Sequence, residues 1–214
     1  MNRPRLQVAL DYSNLEDGIA AAVAVGCAVD ILEAGTIMLL QTGMQATRIL
    51  RKLFPDKIIV ADTKCADAGG TVAKNCKDNG ATWMTCICSA TLPTIKAALR
   101  EIDEVQIELY GDWTMEQAVN WRQCGVKHLI YHQSRDALFS GTSWEPSDLK
   151  RIQKLIEMGF EISVTGGLNL ETLKLFKGMN IGTFIVGRSI TESESPGTRA
   201  QAFQNKISEL WCDS

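Results

Sequence analysis

Eight short apolar runs, seven of them ending on a polar residue or a glycine and each followed by a segment with helix signals, predict an α/β fold: a single (β/α)8 TIM barrel. The run ends fall at positions 11, 33, 62, 86, 108, 132, 165 and 187, a steady strand-then-helix repeat. Such a repeat implies a parallel sheet with right-handed crossovers. The length, 214 residues with 45% hydrophobic, suits one compact catalytic domain over residues 1–214, near the short end for such barrels. An open doubly wound sheet would carry fewer repeats and a glycine-rich first turn, and Asp11-Tyr12-Ser13-Asn14 has no glycine.

Residues 6–11 form the first expected strand, and Ser13 or Asn14 can cap a helix that stops near Gly26. Residues 29–33 form the second strand, followed by Gly35 and a helix over about 44–53 that Pro55 ends. The third strand, from Ile58, leads to Asp62; its helix spans about 68–78 and ends at Gly80. Residues 82–87 are the fourth strand, with a helix from Leu92-Pro93, where proline suits the first turn. Residues 105–108 are the fifth strand. Thr114-Met115-Glu116-Gln117 then reads as a capping box opening the next helix. Residues 128–132 are the sixth strand, followed by an excursion over 133–144 and a helix over about 146–158. The seventh and eighth strands are 160–165 and 183–186. The last helix opens at Ser195-Pro196 and buries Phe203, Ile207, Leu210 and Trp211.

Net charge is −3 with no basic run, which argues against nucleic acid and other polyanions. No apolar stretch is long enough for a bilayer, so no membrane partner is expected. Residues 1–5 lack a signal-peptide core. Seven cysteines, an odd number without a CxxC pair, suit reduced thiols in a cytoplasmic protein.

In such barrels the site forms where the strands end. There the chain offers Asp11, Glu33, Asp62, Lys64, Glu108, His132 and Thr165. Asp62 and Lys64, two apart on a strand, share a face, and Asp67 sits near the start of the next helix. Charges crowded at a buried strand end must pair or hold a ligand. The plainer reading is that some merely pair together, Asp11 with Lys64 being one candidate. Gly166, Gly167, Gly187 and Arg188 follow the last two strands, the usual phosphate position of a barrel, although tight turns would also need glycine. Glu33 and Asp62, on neighbouring strands, suit Mg²⁺ with its retained waters. Zinc is not expected, since the only histidines are His128, at a strand start and read as structural, and His132.

Asp62-x-Lys64-x-x-Asp67 resembles the DxKxxD motif of the orotidine 5′-monophosphate decarboxylase suprafamily. Within it the chain is similar to the 3-keto-L-gulonate 6-phosphate decarboxylase branch. The likeness runs through residues 6–11, Glu33-x-Gly35-Thr36, residues 106–109, Tyr131-His132-x-Ser134-Arg135-Asp136, residues 164–168 and residues 187–190. His132 with Arg135 points to that branch; Thr63, Cys65 and Gln133 read as local variation. The resemblance implies Mg²⁺-dependent loss of CO2 from 3-keto-L-gulonate 6-phosphate, through an enediolate, to give L-xylulose 5-phosphate. It implies catalytic roles for Lys64, Asp67, His132 and Arg135. Asp11, Glu108, Thr165, Gly166, Gly167, Gly187 and Arg188 are expected to bind substrate, and residues 137–144, with Gly141, to act as a lid. It further implies a homodimer with shared sites, Asp67 reaching the neighbour. The alternatives are a 3-hexulose-6-phosphate synthase, adding formaldehyde to ribulose 5-phosphate, and a non-catalytic sugar-phosphate-binding barrel. Arg135 argues against the first, and the intact Asp62, Lys64, Asp67 and His132 against the second.

Overall fold

A computed structural model describes residues 3–212; of the expected domain span 1–214, positions 1, 2, 213 and 214 lie outside the described residues. Eight parallel strands close into a barrel in sequence order. They are β1 (Arg5–Leu10), β2 (Ile31–Ala34), β3 (Ile58–Cys65), β4 (Trp83–Ile87), β5 (Glu104–Leu109), β6 (His128–His132), β7 (Glu161–Thr165) and β8 (Ile181–Val186). Closure comes from β1 pairing with β8, Gln7 opposite Ile185. The (β/α)8 expectation therefore holds.

Alternation along each strand divides the interior in two. Leu6, Val8 and Leu10 of β1 face outward into the core beneath the helices. That core includes Ala22 and Val25 of α1 (Leu15–Val25) and Phe203, Ile207, Leu210 and Trp211 of α10 (Pro196–Trp211), the face expected to be buried. Gln7, Gln106, Ser163 and Thr183 are buried on the other parity, inside the barrel. At the N-terminal end, His128 lies 3.4 Å from Glu104 and 3.7 Å from Glu161, while Arg5 bonds Glu161 and stacks on Trp83. His128 thus closes the floor of the barrel, opposite the mouth.

Local signals set most helix starts. Asn14 accepts from Asp17 N to cap α1. Thr114 and Gln117 form the capping box of α6 (Met115–Gln123). The remaining barrel helices are α3 (Gln45–Leu53), α4 (Gly69–Asp78), α5 (Leu92–Leu99) and α8 (Pro146–Glu157). The chain departs from the simple repeat in four places. A short helix, α2 (Thr36–Thr42), fills the segment after Gly35, and another, α7 (Arg135–Phe139), lies within the excursion. A third, α9 (Arg188–Thr191), precedes α10, and only a 3-10 turn, Thr172–Phe176, follows β7. None of the described helices is long and apolar enough to cross a membrane.

Candidate active site

The third strand is the axis of the site. It runs on to Cys65, but its pairing with β4 shifts register between Ala61 and Cys65, and Lys64 takes a left-handed φ of 45°. A lysine in that region is strained and needs outside support. Thr85 of β4 supplies some: its hydroxyl accepts from Lys64 N at 2.9 Å and donates to Asp62 Oδ1 at 2.8 Å. The other carboxylate oxygen of Asp62 accepts from Thr36 Oγ1 at 2.6 Å and from Lys64 Nζ at 2.7 Å. Asp62 and Lys64 thus meet at the mouth as expected, although the register shift and the left-handed Lys64 break the regular alternation between them.

Lys64 reaches across the mouth to β5. Its Nζ lies 2.9 Å from Glu108 Oε2 and 3.2 Å from Oε1. Burial disfavours the ammonium, but Asp62 and Glu108 outweigh it and hold the pKa above the ordinary lysine value. Burial likewise opposes the Glu108 carboxylate, yet the hydrogen bond from His132 and the charge of Lys64 keep it below the usual range. Oε1 of Glu108 also meets His132 Nδ1 at 2.7 Å and Tyr110 Oη at 2.9 Å. A carboxylate, an ammonium, a second carboxylate and an imidazole therefore form one connected chain across the ends of β3, β5 and β6. The expected Asp11–Lys64 pair does not form. Asp11 lies instead 3.4 Å from Arg135 of α7, and Gly35 keeps its neighbourhood open, since a Cβ there would fall 2.2 Å from Asp11 Oδ1.

Glu33 on β2 is buried and takes a hydrogen bond from Gln7 at 2.5 Å. Burial, then the charge of Asp62, pushes its carboxyl well above the ordinary value, and Asp11 adds to this. Among the described residues no three His, Cys, Asp or Glu side chains are grouped so as to hold a metal ion. But Glu33 and Asp62 are both buried, and the charge of Asp62 opposes ionisation of Glu33, so a hard divalent cation held by these two and by waters would relieve the pair. Glu33 and Asp62 therefore fit Mg²⁺.

Facing these acids are the last two loops. Gly166 has φ 102°, and a Cβ there would sit 2.1 Å from Gln133 O, so only glycine fits. Gly167 packs against Leu138 of α7, and the Arg188 guanidinium, at the start of α9, lies 5.0 Å from the Phe139 ring. The excursion thus rests on the two glycine-bearing loops. Thr165 gives its hydroxyl proton to Ile185 O at 3.0 Å, which ties β7 to β8. Asp67 stands apart: it is exposed, and among the described residues its carboxylate has no hydrogen-bond or ion-pair partner. Thr36, Thr85, Gln7 and Tyr110 hold the acids in place; none of them drew a role from the sequence alone, Thr36 entering only as part of the Glu33-x-Gly35-Thr36 likeness. Glu108-x-Tyr110 carries a weak signal, a two-residue spacing at a strand end.

Comparison with known proteins identifies the family of the barrel. The sequence profile described as "Orotidine 5'-phosphate decarboxylase / HUMPS family" matches residues 4–203. The chain belongs to that family. Among curated members of the family, it is 45% identical to the 3-keto-L-gulonate-6-phosphate decarboxylase UlaD of Salmonella paratyphi B, over 99% of this chain and 100% of that one. Among solved structures, that of KGPDC from Streptococcus mutans in complex with D-R5P superposes with a TM-score of 0.97 at 58% identity, covering 98% and 100% of the two chains. A 3-hexulose-6-phosphate synthase from Salmonella typhimurium is more distant, at TM-score 0.88 and 26% identity over 98% and 99%. The resemblance read from the DxKxxD pattern thus extends over the whole barrel.

Proposed function

We propose that this chain is a carboxy-lyase that decarboxylates 3-keto-L-gulonate 6-phosphate to L-xylulose 5-phosphate. The observation that carries the chemistry is the connected chain Asp62–Lys64–Glu108–His132, with Arg135 beside Asp11 at the same mouth. In the β-keto acid the bond between C1 and C2 breaks, CO2 leaves, and its electron pair flows to the C3 carbonyl oxygen. The resulting enediolate places negative charge on oxygen, and a preorganised donor lowers the barrier to that charge. Lys64 is that donor, kept charged by two carboxylates and aimed by them. Glu33 and Asp62 would hold Mg²⁺, which when bound supplies Lewis-acid stabilisation of oxygen charge. His132 then delivers a proton to the former C2, with Arg135 steadying the acid end of the substrate.

Asp11, Glu108 and Thr165 line the mouth, where they orient substrate hydroxyls or the catalytic groups. The phosphate lies on Gly166, Gly167, Gly187 and Arg188, and α7 covers it. Its binding energy positions the reacting end. Two such barrels form a homodimer with shared sites, Asp67 serving the neighbour's; the exposed, unpaired Asp67 is the observation that favours this. A CO2-release assay on 3-keto-L-gulonate 6-phosphate, run beside an aldol assay with formaldehyde and ribulose 5-phosphate, tests the reading. Turnover in the first assay well above the second is expected. The reverse ranking would make the chain a synthase, and no turnover in either would leave a sugar-phosphate-binding barrel.

A further inference from the structure

Tyr110 follows the end of β5, and its hydroxyl enters the centre of the site. The oxygen lies 2.9 Å from Glu108 Oε1 and 2.7 Å from His132 Nδ1, and those two atoms are themselves 2.7 Å apart. The phenol and imidazole rings stack at 4.8 Å, tilted by 40°, and Lys64 Nζ lies 5.9 Å from the phenol centroid. One side chain therefore touches the proposed proton donor, the proposed oxyanion donor and the carboxylate that joins them.

Proton placement in this triangle follows from the groups present. Glu108 is ionised and can only accept. Nδ1 must then carry the hydrogen that points at Oε1, because two acceptors at 2.7 Å would repel. Burial, and then Glu108, pushes the phenol up from its ordinary pKa, so it stays protonated and donates a hydrogen bond to the same carboxylate. Its oxygen is left as a second acceptor for the Nδ1 hydrogen. Each member of the triangle restrains the other two, and Nε2 of His132 is left without a partner among the described residues.

We propose that Tyr110 is a positioning residue: its hydroxyl fixes the His132 ring with Nδ1–H turned to Glu108, so that in the imidazolium form the step requires, Nε2–H hands its proton to one face of the enediolate and leaves the neutral Nδ1–H imidazole. This rests on the decarboxylase reading and adds a residue to it. Loss of the hydroxyl alone would leave the ring volume, the Lys64 contact and the Glu108–His132 bond, but would let the imidazole rock. Proton delivery should then lose facial preference, with little effect on substrate binding.

The experiment is turnover of parent and Tyr110→Phe in D2O, reading kcat, KM and the distribution of deuterium between the two faces of C1 in L-xylulose 5-phosphate. For Tyr110→Phe, kcat should fall about tenfold, the order of one hydrogen bond to a charged group, with KM changed less than about twofold and the deuterium distribution moved toward equality. Tyr110→Met, lacking the ring as well, should move the distribution at least as far, and serves if Tyr110→Phe does not fold. A merely structural tyrosine would lower the melting temperature or raise KM while leaving the distribution unchanged, and that result overturns the proposal. An inactive parent would instead overturn the decarboxylase reading beneath it.

Discussion

Oε1 of Glu108 lies 2.7 Å from Nδ1 of His132, while its other oxygen lies 2.9 Å from Nζ of Lys64. One carboxylate thus serves two cations or potential cations on different strands, and its removal should disturb both. Glu108→Gln should lower kcat by about a hundredfold or more, since both an oxyanion donor and a proton donor lose their orienting charge. A loss under about threefold in steady-state turnover would show that Lys64 and His132 are held by other groups.

Stability should respond to acid through the same carboxylate. Its pKa is depressed in the folded chain, so its contribution is full above the ordinary glutamate value of about 4.3 and fades as pH falls through the lower folded value. Glu108→Gln should therefore be less stable than the parent by about 2 kcal/mol near pH 7, with the gap closing below about pH 4. Urea unfolding of both proteins across that range checks the sign; a gap that widens in acid refutes it.

Metal binding has a readout independent of turnover. The Glu33 carboxyl is raised, so its ionised form costs the fold stability as pH rises above the ordinary glutamate range, and a bound dication offsets that cost. Chelation with EDTA should abolish activity and Mg²⁺ restore it. Saturating Mg²⁺ should also raise the melting temperature by about 5 °C. Glu33→Gln should lose the Mg²⁺-dependent rise while leaving the metal-free protein no less stable, as it removes a buried charge. Full activity after exhaustive chelation would remove the metal from the mechanism.

Arg188 tests the phosphate end. It opens α9 directly after Gly187 and faces the Phe139 ring rather than a carboxylate. In Arg188→Ala, KM should rise about tenfold or more, as expected for loss of a charge-assisted contact, and inorganic phosphate should inhibit the variant less than the parent. Equal inhibition would place the phosphate elsewhere.

The parts of this protein that were legible in its sequence are those set by local chemistry. Residues 128–132 read as a strand from composition and form one with the same bounds, and the Thr114–Gln117 capping box closes as its spacing requires. The strand ends were legible because polar residues break apolar runs there, and this also located the mouth. Pairing inside the mouth was not. Asp11 and Lys64 are equally plausible partners by charge, but the bulge in β3 and the left-handed Lys64 turn the ammonium toward Glu108, and α7 brings Arg135 to Asp11. Short helices such as α2 and α7 escaped because a few residues carry no periodicity. Tyr110 escaped because a residue one past a strand reads as a turn until the neighbouring strand supplies a histidine.

Lys64 and Asp67, three residues apart, point to the last prediction. Lys64 is engaged within its own barrel by Asp62 and Glu108, whereas Asp67 is exposed, and left-handed residues at 64 and 68 bracket the turn between them. In the proposed dimer the two side chains therefore serve different sites. Lys64→Ala and Asp67→Asn should each be nearly inactive as pure homodimers, because every site then carries one defect. Co-expressed, they should form mixed dimers in which one site carries both defects and the other none. With random pairing, half the dimers are mixed and half of their sites intact, so about one quarter of parental activity should return under two-fold symmetry. If Asp67 acted within its own chain, every site in the mixed dimer would keep one defect. Activity that stays at the level of the single variants, with mixed dimers verified by mass, would rule out the shared site.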